Sequence, residues 1–298
     1  MDIQDIQKIL PPYIAADTVT RIGTGKSGAE VYDIDGRYIV KYAERERIGA
    51  EQFKTYAREV WAYNELRGRA DYIPEVISEE VSGDTIYILM KKYAPLRWDG
   101  SRGMTEKIAQ VMARIHMTDL SFPEDGAKTE MPARERIAEC FDGWKSVLDE
   151  HSMDAGGART VADRICDVIR LHDAEEDVTV HGDLHRENLL TDGERIIVCD
   201  WQAVGRGKAT DDIGFFLSRA AADGIHTDPR EFAAMYADAV YELCGRSLDV
   251  SDIMAGISAA NVITTFFYWH LFLHGSSADI VGDVYNRMIY DLGRCVEL

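Results

Sequence analysis

Alternating apolar and polar positions dominate the first ninety residues, and a helical period dominates most of the remaining chain. Thr18–Gly23, Ala29–Ile34 and Arg37–Tyr42 predict a three-strand meander, with Ala29–Ile34 alternating apolar and polar positions like a strand. Asp35-Gly36, between the last two strands, is a strong hairpin signal. Phe53, Ala57, Val60, Trp61 and Leu66 recur at helical spacing and predict a helix over 51–68, stopped by Gly68. After Pro74, Glu75–Val81 and Thr85–Met90 read as two more strands joined by Ser82-Gly83-Asp84. Beyond Pro95 the spacing predicts helices over 105–118, 134–150, 159–171 and 229–243. A short β island, Asp177–Val180 and Arg195–Asp200, interrupts them. The pattern therefore predicts a β-rich first lobe, a connector near Lys91–Ala94 and a helical second lobe.

One stretch tests the solvent class. Ile253–Ser277 contains no Asp, Glu, Lys or Arg and is long enough to span a bilayer. It also carries Ser258, Asn261, Thr264, Thr265, His270 and His274, and lacks basic anchors at its flanks. It reads as a buried helix of the second lobe. Met1–Lys8 has neither a basic start nor an apolar run, so no secretion signal is visible.

Composition narrows the setting. In 298 residues, 33 Lys and Arg face 52 Asp and Glu, a net charge of -19. That field repels nucleic acid and anionic membranes and attracts cations. Cys140, Cys166, Cys199, Cys244 and Cys295 are scattered, odd in number and never in a C-x-x-C pair, which points to reduced thiols in a cytoplasm.

The chemistry is concentrated in His181-Gly-Asp-Leu-His-Arg-Glu-Asn-Leu-Leu190 and the following Arg195-Ile-Ile-Val-Cys-Asp200-Trp. A carboxylate, a carboxamide five positions later and a second carboxylate at a strand end suit a divalent metal with phosphate. Asp183 can accept a proton from a hydroxyl nucleophile, and Asn188 and Asp200 can hold Mg2+ through hard oxygens.

Upstream, Gly23-Thr-Gly-Lys-Ser-Gly28 satisfies G-x-G-x-x-G. A dinucleotide fingerprint needs a helix directly after the loop, whereas Ala29–Ile34 alternates like a strand. A P-loop needs a glycine where Thr20 stands. The surviving reading is a glycine-rich hairpin over nucleotide phosphates, with Gly23, Gly25, Ser27 and Gly28 as the contacting positions and Lys26 toward solvent. Lys41 ends the third strand among apolar neighbours, and a buried ammonium needs a partner. Glu59 is the first choice, with Glu51 and Glu65 on neighbouring helical faces as alternatives.

Together, H-G-D with L-H-x-x-N-L-L downstream resembles the aminoglycoside phosphotransferase and choline kinase family of small-molecule kinases. The order also resembles the catalytic loop and metal aspartate of protein kinases, with Gly182 in place of their arginine. The resemblance implies an α+β, bilobal, protein-kinase-like fold with a β-rich N-lobe and a mainly helical C-lobe. Residues 1–93 would form the nucleotide-binding lobe, and 94–298 a helical lobe with the catalytic loop and acceptor site. It implies Asp183 as catalytic base, Asn188 and Asp200 as ligands of Mg2+, and Lys41 with Glu59 at the phosphates of ATP or GTP. Met90, Lys91 and Tyr93 of the connector would border the base. His181, His185 and Asp212 would brace the catalytic loop, with Asp211 as the alternative to Asp212. Asp200-Trp-Gln202 replaces D-F-G, and no A-P-E segment comes after it, which argues against a protein substrate.

The expected activity is transfer of the γ-phosphoryl of ATP or GTP to a hydroxyl of a small cationic molecule. An aminoglycoside-type antibiotic leads. Glu139, Asp142, Asp279 and Asp283 are the acidic residues chosen to bind its ammonium groups. The alternative acceptor is a metabolic alcohol such as choline, ethanolamine, homoserine or a sugar. An aromatic cage would favour a quaternary ammonium, but Tyr268 and Trp269 lie in the apolar stretch and read as core. A third reading is a nucleotide-binding pseudokinase, which the complete residue set disfavours.

Overall fold

The structure, a computed structural model, describes residues 3–24, 28–122 and 131–296. In chain order its elements begin with α1 (Ile3–Ile9), β1 (Val19–Thr24), β2 (Glu30–Ile34), β3 (Tyr38–Glu44), α2 (Arg45–Ile48) and α3 (Ala50–Leu66). Next come β4 (Val76–Ser82), β5 (Thr85–Lys91), β6 (Ala94–Pro95), α4 (Arg102–His116), α5 (Arg134–Asp149), α6 (Gly156–Asp173) and β7 (Asp177–Val180). The chain then continues through β8 (Leu189–Thr191), β9 (Ile196–Val198), β10 (Gly205–Lys208), α7 (Ala209–Ala222), α8 (Pro229–Cys244), α9 (Val250–Tyr268) and α10 (Ala278–Val296). Two compact units emerge: Met1–Asp99 with His181–Val204, and Gly100–Val180 with Gly205–Leu298. Residues 181–204 thus group with the β-rich unit, whereas the sequence pattern assigned them to 94–298.

The first unit is built on an antiparallel sheet of order β1-β2-β3-β5-β4. Asp35 and Gly36 both take positive φ, 54° and 67°, as a tight hairpin turn demands. The Asp35 carboxylate also accepts from the Thr18 amide at 2.6 Å, tying the turn to the start of β1. Period-two alternation then decides which helix each side chain meets. Tyr32, Ile34, Val40 and Leu89 pack with Ile6 of α1 and with Leu10 just after it. Lys41, one residue on, reaches α3 on the other face. Helix α1 is not predicted from the sequence, because seven residues are too few to display a helical period.

The segments 177–180 and 195–200 do not form one island. β7 pairs with β10, whereas β9 pairs with β8, which pairs with β6. The partners β6, β8 and β10 are two to four residues long, so none shows alternation by itself.

In the second unit, α5, α6, α9 and α10 share a core in which Trp144, Val161, Ile165, Phe266 and Met288 are buried. Trp144 donates from its indole to the Phe266 carbonyl at 3.1 Å. Val250–Leu271 is long and apolar enough to cross a membrane, yet it is largely buried inside the protein, as expected of a core helix. The apolar stretch does not stay helical to Ser277. α9 ends at Tyr268, and a 3-10 turn, Trp269–Leu271, comes next. Tyr268 and Trp269, expected in the core, lie where the helix ends and are 55% and 42% exposed.

Candidate functional site

The residues with the chemistry converge within the first unit. β3 carries Lys41, whose Nζ donates to both carboxylate oxygens of Glu59 at 2.8 Å and to Asp200 Oδ1 at 3.0 Å. Among the three glutamates weighed for Lys41, the partner is Glu59. Glu51 is exposed beside Lys54, and Glu65 lies 3.8 Å from Arg69. Glu59 is fully buried on α3 and also accepts from the Tyr63 hydroxyl at 3.1 Å. Burial opposes the charge on Lys41, but the pull of Glu59 and then Asp200 outweighs it and holds the ammonium above lysine's usual pKa. Burial likewise works against the Asp200 carboxylate, and Lys41 more than offsets it, so Asp200 sits below the usual carboxylate range.

The turn after β9 aims Asp200. Its backbone is left-handed, with φ of 68°, and leads into the 3-10 turn Trp201–Ala203. Trp201 anchors that turn: it is fully buried, donates to the Val198 carbonyl at 2.9 Å and stacks on Tyr72 with centroids 6.0 Å apart. Gln202 donates to Asp200 Oδ1 and accepts from Gln52 of α3 at 3.2 Å. The residue in the glycine position of D-F-G therefore ties the turn to the helix that carries Glu59.

The loop 181–188 is held from within. His181 is fully buried. Its Nε2 lies 3.0 Å from the Cys199 carbonyl, and its Nδ1 accepts from the Asp183 amide at 3.3 Å. The carbonyl cannot donate, so the proton belongs on Nε2. Gly182 has φ of +79°, and a Cβ there would lie 2.4 Å from the Ala203 carbonyl oxygen. No side chain fits that contact, which accounts for glycine between the His and the Asp. Asn188 is buried, and its Nδ2 donates to the Asp183 carbonyl at 2.9 Å. His185 Nε2 lies 3.3 Å from Asn188 Nδ2 and 3.8 Å from Asp183 Oδ2. Behind the loop, burial pushes the Cys199 thiol up to about 12, so it remains protonated and inert.

These positions fit a hard divalent cation. Lys41 and Gln202 both bond to Oδ1 of Asp200, and the Asn188 amide nitrogen is committed to the loop. Asp200 Oδ2 and Asn188 Oδ1 are the oxygens left to coordinate. Among the described residues, no group of three or more His, Cys, Asp or Glu could hold a metal. Two protein oxygens are what Mg2+ uses when phosphates and water complete its octahedron.

The other predicted positions are less concentrated. Gly23 has φ of 157° and Gly28 has φ of 88°, with Ile48 Cγ2 3.2 Å from where a Gly28 Cβ would stand. Gly25, Lys26 and Ser27 lie outside the described residues. Met90 is buried near the end of β5, and the Lys91 amide donates to the Glu75 carbonyl at 2.9 Å. The Tyr93 hydroxyl accepts from the Glu75 amide at 3.2 Å. In the second unit, Asp212 is buried on α7, 3.3 Å from His116 Nε2, and His116 Nδ1 lies 2.9 Å from the Tyr236 hydroxyl. Its neighbour Asp211 accepts from the Lys208 amide as a helix cap and pairs with His172 at 2.8 Å. Glu139, Asp142, Asp279 and Asp283 are all exposed, on α5 and α10, and Glu139 lies 3.6 Å from Arg136. Sequence reasoning missed Tyr63, His116 and Tyr236. Tyr63, four residues after Glu59 on one helical face, was the one with a readable signal.

A sequence profile described as the Phosphotransferase enzyme family matches residues 18–249. Among solved structures, wild-type aminoglycoside 2'-phosphotransferase-IIIa in its GDP complex matches with a TM-score of 0.63 at 11% identity, over 98% of this chain and 99% of that one. An amicoumacin kinase in complex with AMP-PNP, Ca2+ and Ami matches with a TM-score of 0.63 at 13% identity, over 97% and 94%. A choline kinase from Cryptosporidium parvum Iowa II matches with a TM-score of 0.61 at 14% identity, over 99% and 95%. At such identities the likeness is one of fold. No curated protein matches the chain in sequence.

Proposed function

The chain belongs to the Phosphotransferase enzyme family, and from that premise we propose that it transfers the γ-phosphoryl of ATP or GTP to a hydroxyl of a small cationic acceptor, with an aminoglycoside-type antibiotic as the leading class. The observation that carries this reading is the bonded set Lys41–Glu59–Asp200, in one compact unit with Asp183 and Asn188.

Asp183 takes the proton of the acceptor hydroxyl as that oxygen bonds to the γ-phosphorus. The bond from phosphorus to the β,γ-bridging oxygen breaks, and the nucleoside diphosphate leaves with that electron pair. Lys41, kept cationic by Glu59, binds the α- and β-phosphates, and Gly23 with the rest of its hairpin offers backbone N–H groups to them. Asn188 Oδ1 and Asp200 Oδ2 would hold Mg2+, which when bound offsets the charge spread over the phosphoryl oxygens. His181 and Gly182 position Asp183, and the family resemblance gives Asp212 a positioning role as well. Met90, Lys91 and Tyr93 border the base. The net charge of -19 favours a cationic acceptor, and five free cysteines suit a cytoplasmic enzyme.

A second acceptor class has one observation in its favour. Tyr268 and Trp269 are exposed rather than core, so aromatic faces are accessible for a quaternary ammonium such as choline. Nucleotide turnover with Mg2+ is to be measured across aminoglycosides, choline and ethanolamine, for the native protein and Asp183→Ala. The acceptor that stimulates native turnover identifies the class. Equal turnover by the variant ends the assignment of Asp183.

A further inference from the structure

The second unit contains a cavity of about 660 Å³ that none of Lys41, Glu59, Asp183, Asn188 and Asp200 lines. It lies among the end of α6, the start of β7, α8 and the start of α9. Leu171, Val178, Tyr236, Val240, Leu248 and Ile253 provide apolar wall, and Glu175, Glu176, Asp249 and Asp252 provide carboxylates. The volume lies within the range of small-molecule sites, roughly 300–1,000 Å³.

The cationic side chains around these carboxylates have partners of their own, His172 pairing with Asp211 at 2.8 Å. Arg246, the cationic side chain in the lining, is paired with Glu176 at 2.5 Å. Lys208, nearby, is committed to Asp177 at 2.8 Å and to the Glu175 and Asp173 carbonyls. Asp249 caps α9 by accepting from the Ser251 amide. The Glu175 carboxylate accepts from the Thr210 hydroxyl, at 2.8 and 2.9 Å, and no cationic side chain among the described residues forms an ion pair with it. Burial raises the pKa of that carboxyl, against the opposing effects of the Thr210 hydrogen bond and of His172 and Lys208. The backbone also makes room for it: a Cβ on Gly256 would stand 2.1 Å from Glu175 Oε1. Glycine at that turn of α9 lets the carboxylate lie against the helix at the cavity wall.

We propose that this cavity binds an amphipathic primary amine, its ammonium on Glu175 and its apolar body against Leu171, Val178, Tyr236 and Ile253. Charge-assisted hydrogen bonding to a half-buried carboxylate provides recognition, and the apolar wall provides the remaining affinity. The site is separate from the phosphotransfer chemistry and does not depend on the acceptor class.

Tryptamine is a suitable probe, with tryptophol as its neutral counterpart, titrated calorimetrically into the full-length protein. The expected result is saturable binding of tryptamine, with tryptophol about tenfold or more weaker. Glu175→Gln removes the charge and should weaken tryptamine by a similar factor. Gly256→Ala displaces both the Glu175 carboxylate and the Thr210 side chain that holds it, 2.1 and 2.7 Å from the new Cβ, and should do the same, which keeps the test open if Glu175→Gln fails to fold. Asp183→Asn should bind tryptamine as the native protein does. The proposal is overturned by no saturable binding at millimolar amine, by equal binding of amine and alcohol, or by loss of binding in Asp183→Asn.

Discussion

Replacing Glu59 by Gln retains the shape of the side chain and removes its charge. In the native protein both Glu59 oxygens lie 2.8 Å from the Lys41 ammonium, and the carboxylate is fully buried while Lys41 is 15% exposed. Breaking a buried ion pair by removing one partner costs about 3–5 kcal/mol, chiefly because the surviving charge is left without compensation. Lys41 would keep Asp200 at 3.0 Å, and the new carboxamide oxygen can still accept a hydrogen bond. The expected destabilisation is therefore smaller, about 2–3 kcal/mol. Lys41→Met should cost about 3–5 kcal/mol, because it strands Glu59 with only the Tyr63 hydroxyl. The double variant should cost clearly less than the sum, since no unpaired charge on Glu59 or Lys41 remains. Urea midpoints with unchanged slopes report these differences, and both single variants should lose most phosphoryl transfer. A Glu59→Gln cost under about 1 kcal/mol, or additive single and double costs, would refute the idea that this pair is a mutually dependent buried unit.

The same geometry gives three further expected outcomes. Gly182→Ala must place a Cβ 2.4 Å from the Ala203 carbonyl oxygen at φ of +79°; a left-handed residue alone costs about 1–2 kcal/mol, so a lowered Tm with strongly reduced turnover is expected, and native-like turnover would contradict it. Trp201→Phe removes the hydrogen bond to Val198 and part of a buried ring; a loss of about 2–3 kcal/mol in a urea melt is expected. At His172, burial lowers the pKa but Asp211 at 2.8 Å more than offsets it, so the folded value lies above 6.5. The ion pair then stabilises fully below the unfolded pKa and fades as pH rises through the folded one. Tm should accordingly carry a component that declines above pH 6.5, and Asp211→Asn should flatten it.

Much of the first unit is legible in the sequence. Period two in β2, apolar runs bounded by turn signals in β3 and β5, and helical spacing in α3 identify the right segments. The segments that escape are those with too little length to display a period. α1, β6, β8 and β10 are defined by what they pack or pair with, not by their own composition. The long apolar stretch shows the opposite failure: its composition is uniform from Ile253 to Ser277, yet the helix stops at Tyr268. Hydropathy has no information about where a helix ends, so Tyr268 and Trp269 read as core although both are exposed.

The candidate site divides in the same way. The residue types and their order along the chain are enough to single out Lys41, Asp183, Asn188 and Asp200 as candidates, since a phosphoryl site needs a cation, a base and hard oxygens whatever surrounds them. Sequence alone also leaves Glu51, Glu59 and Glu65 as partners for Lys41, and only the packing of α3 on the sheet selects Glu59. The same holds for Gly182, whose necessity comes from the distant Ala203 carbonyl, and for Glu175, whose place at a cavity wall against Gly256 exists only in the folded chain. Local pattern is set by each segment's own periodicity, and chain order by covalent connection. Which charge meets which, and which is left over, is decided by burial, and burial exists only in the folded chain.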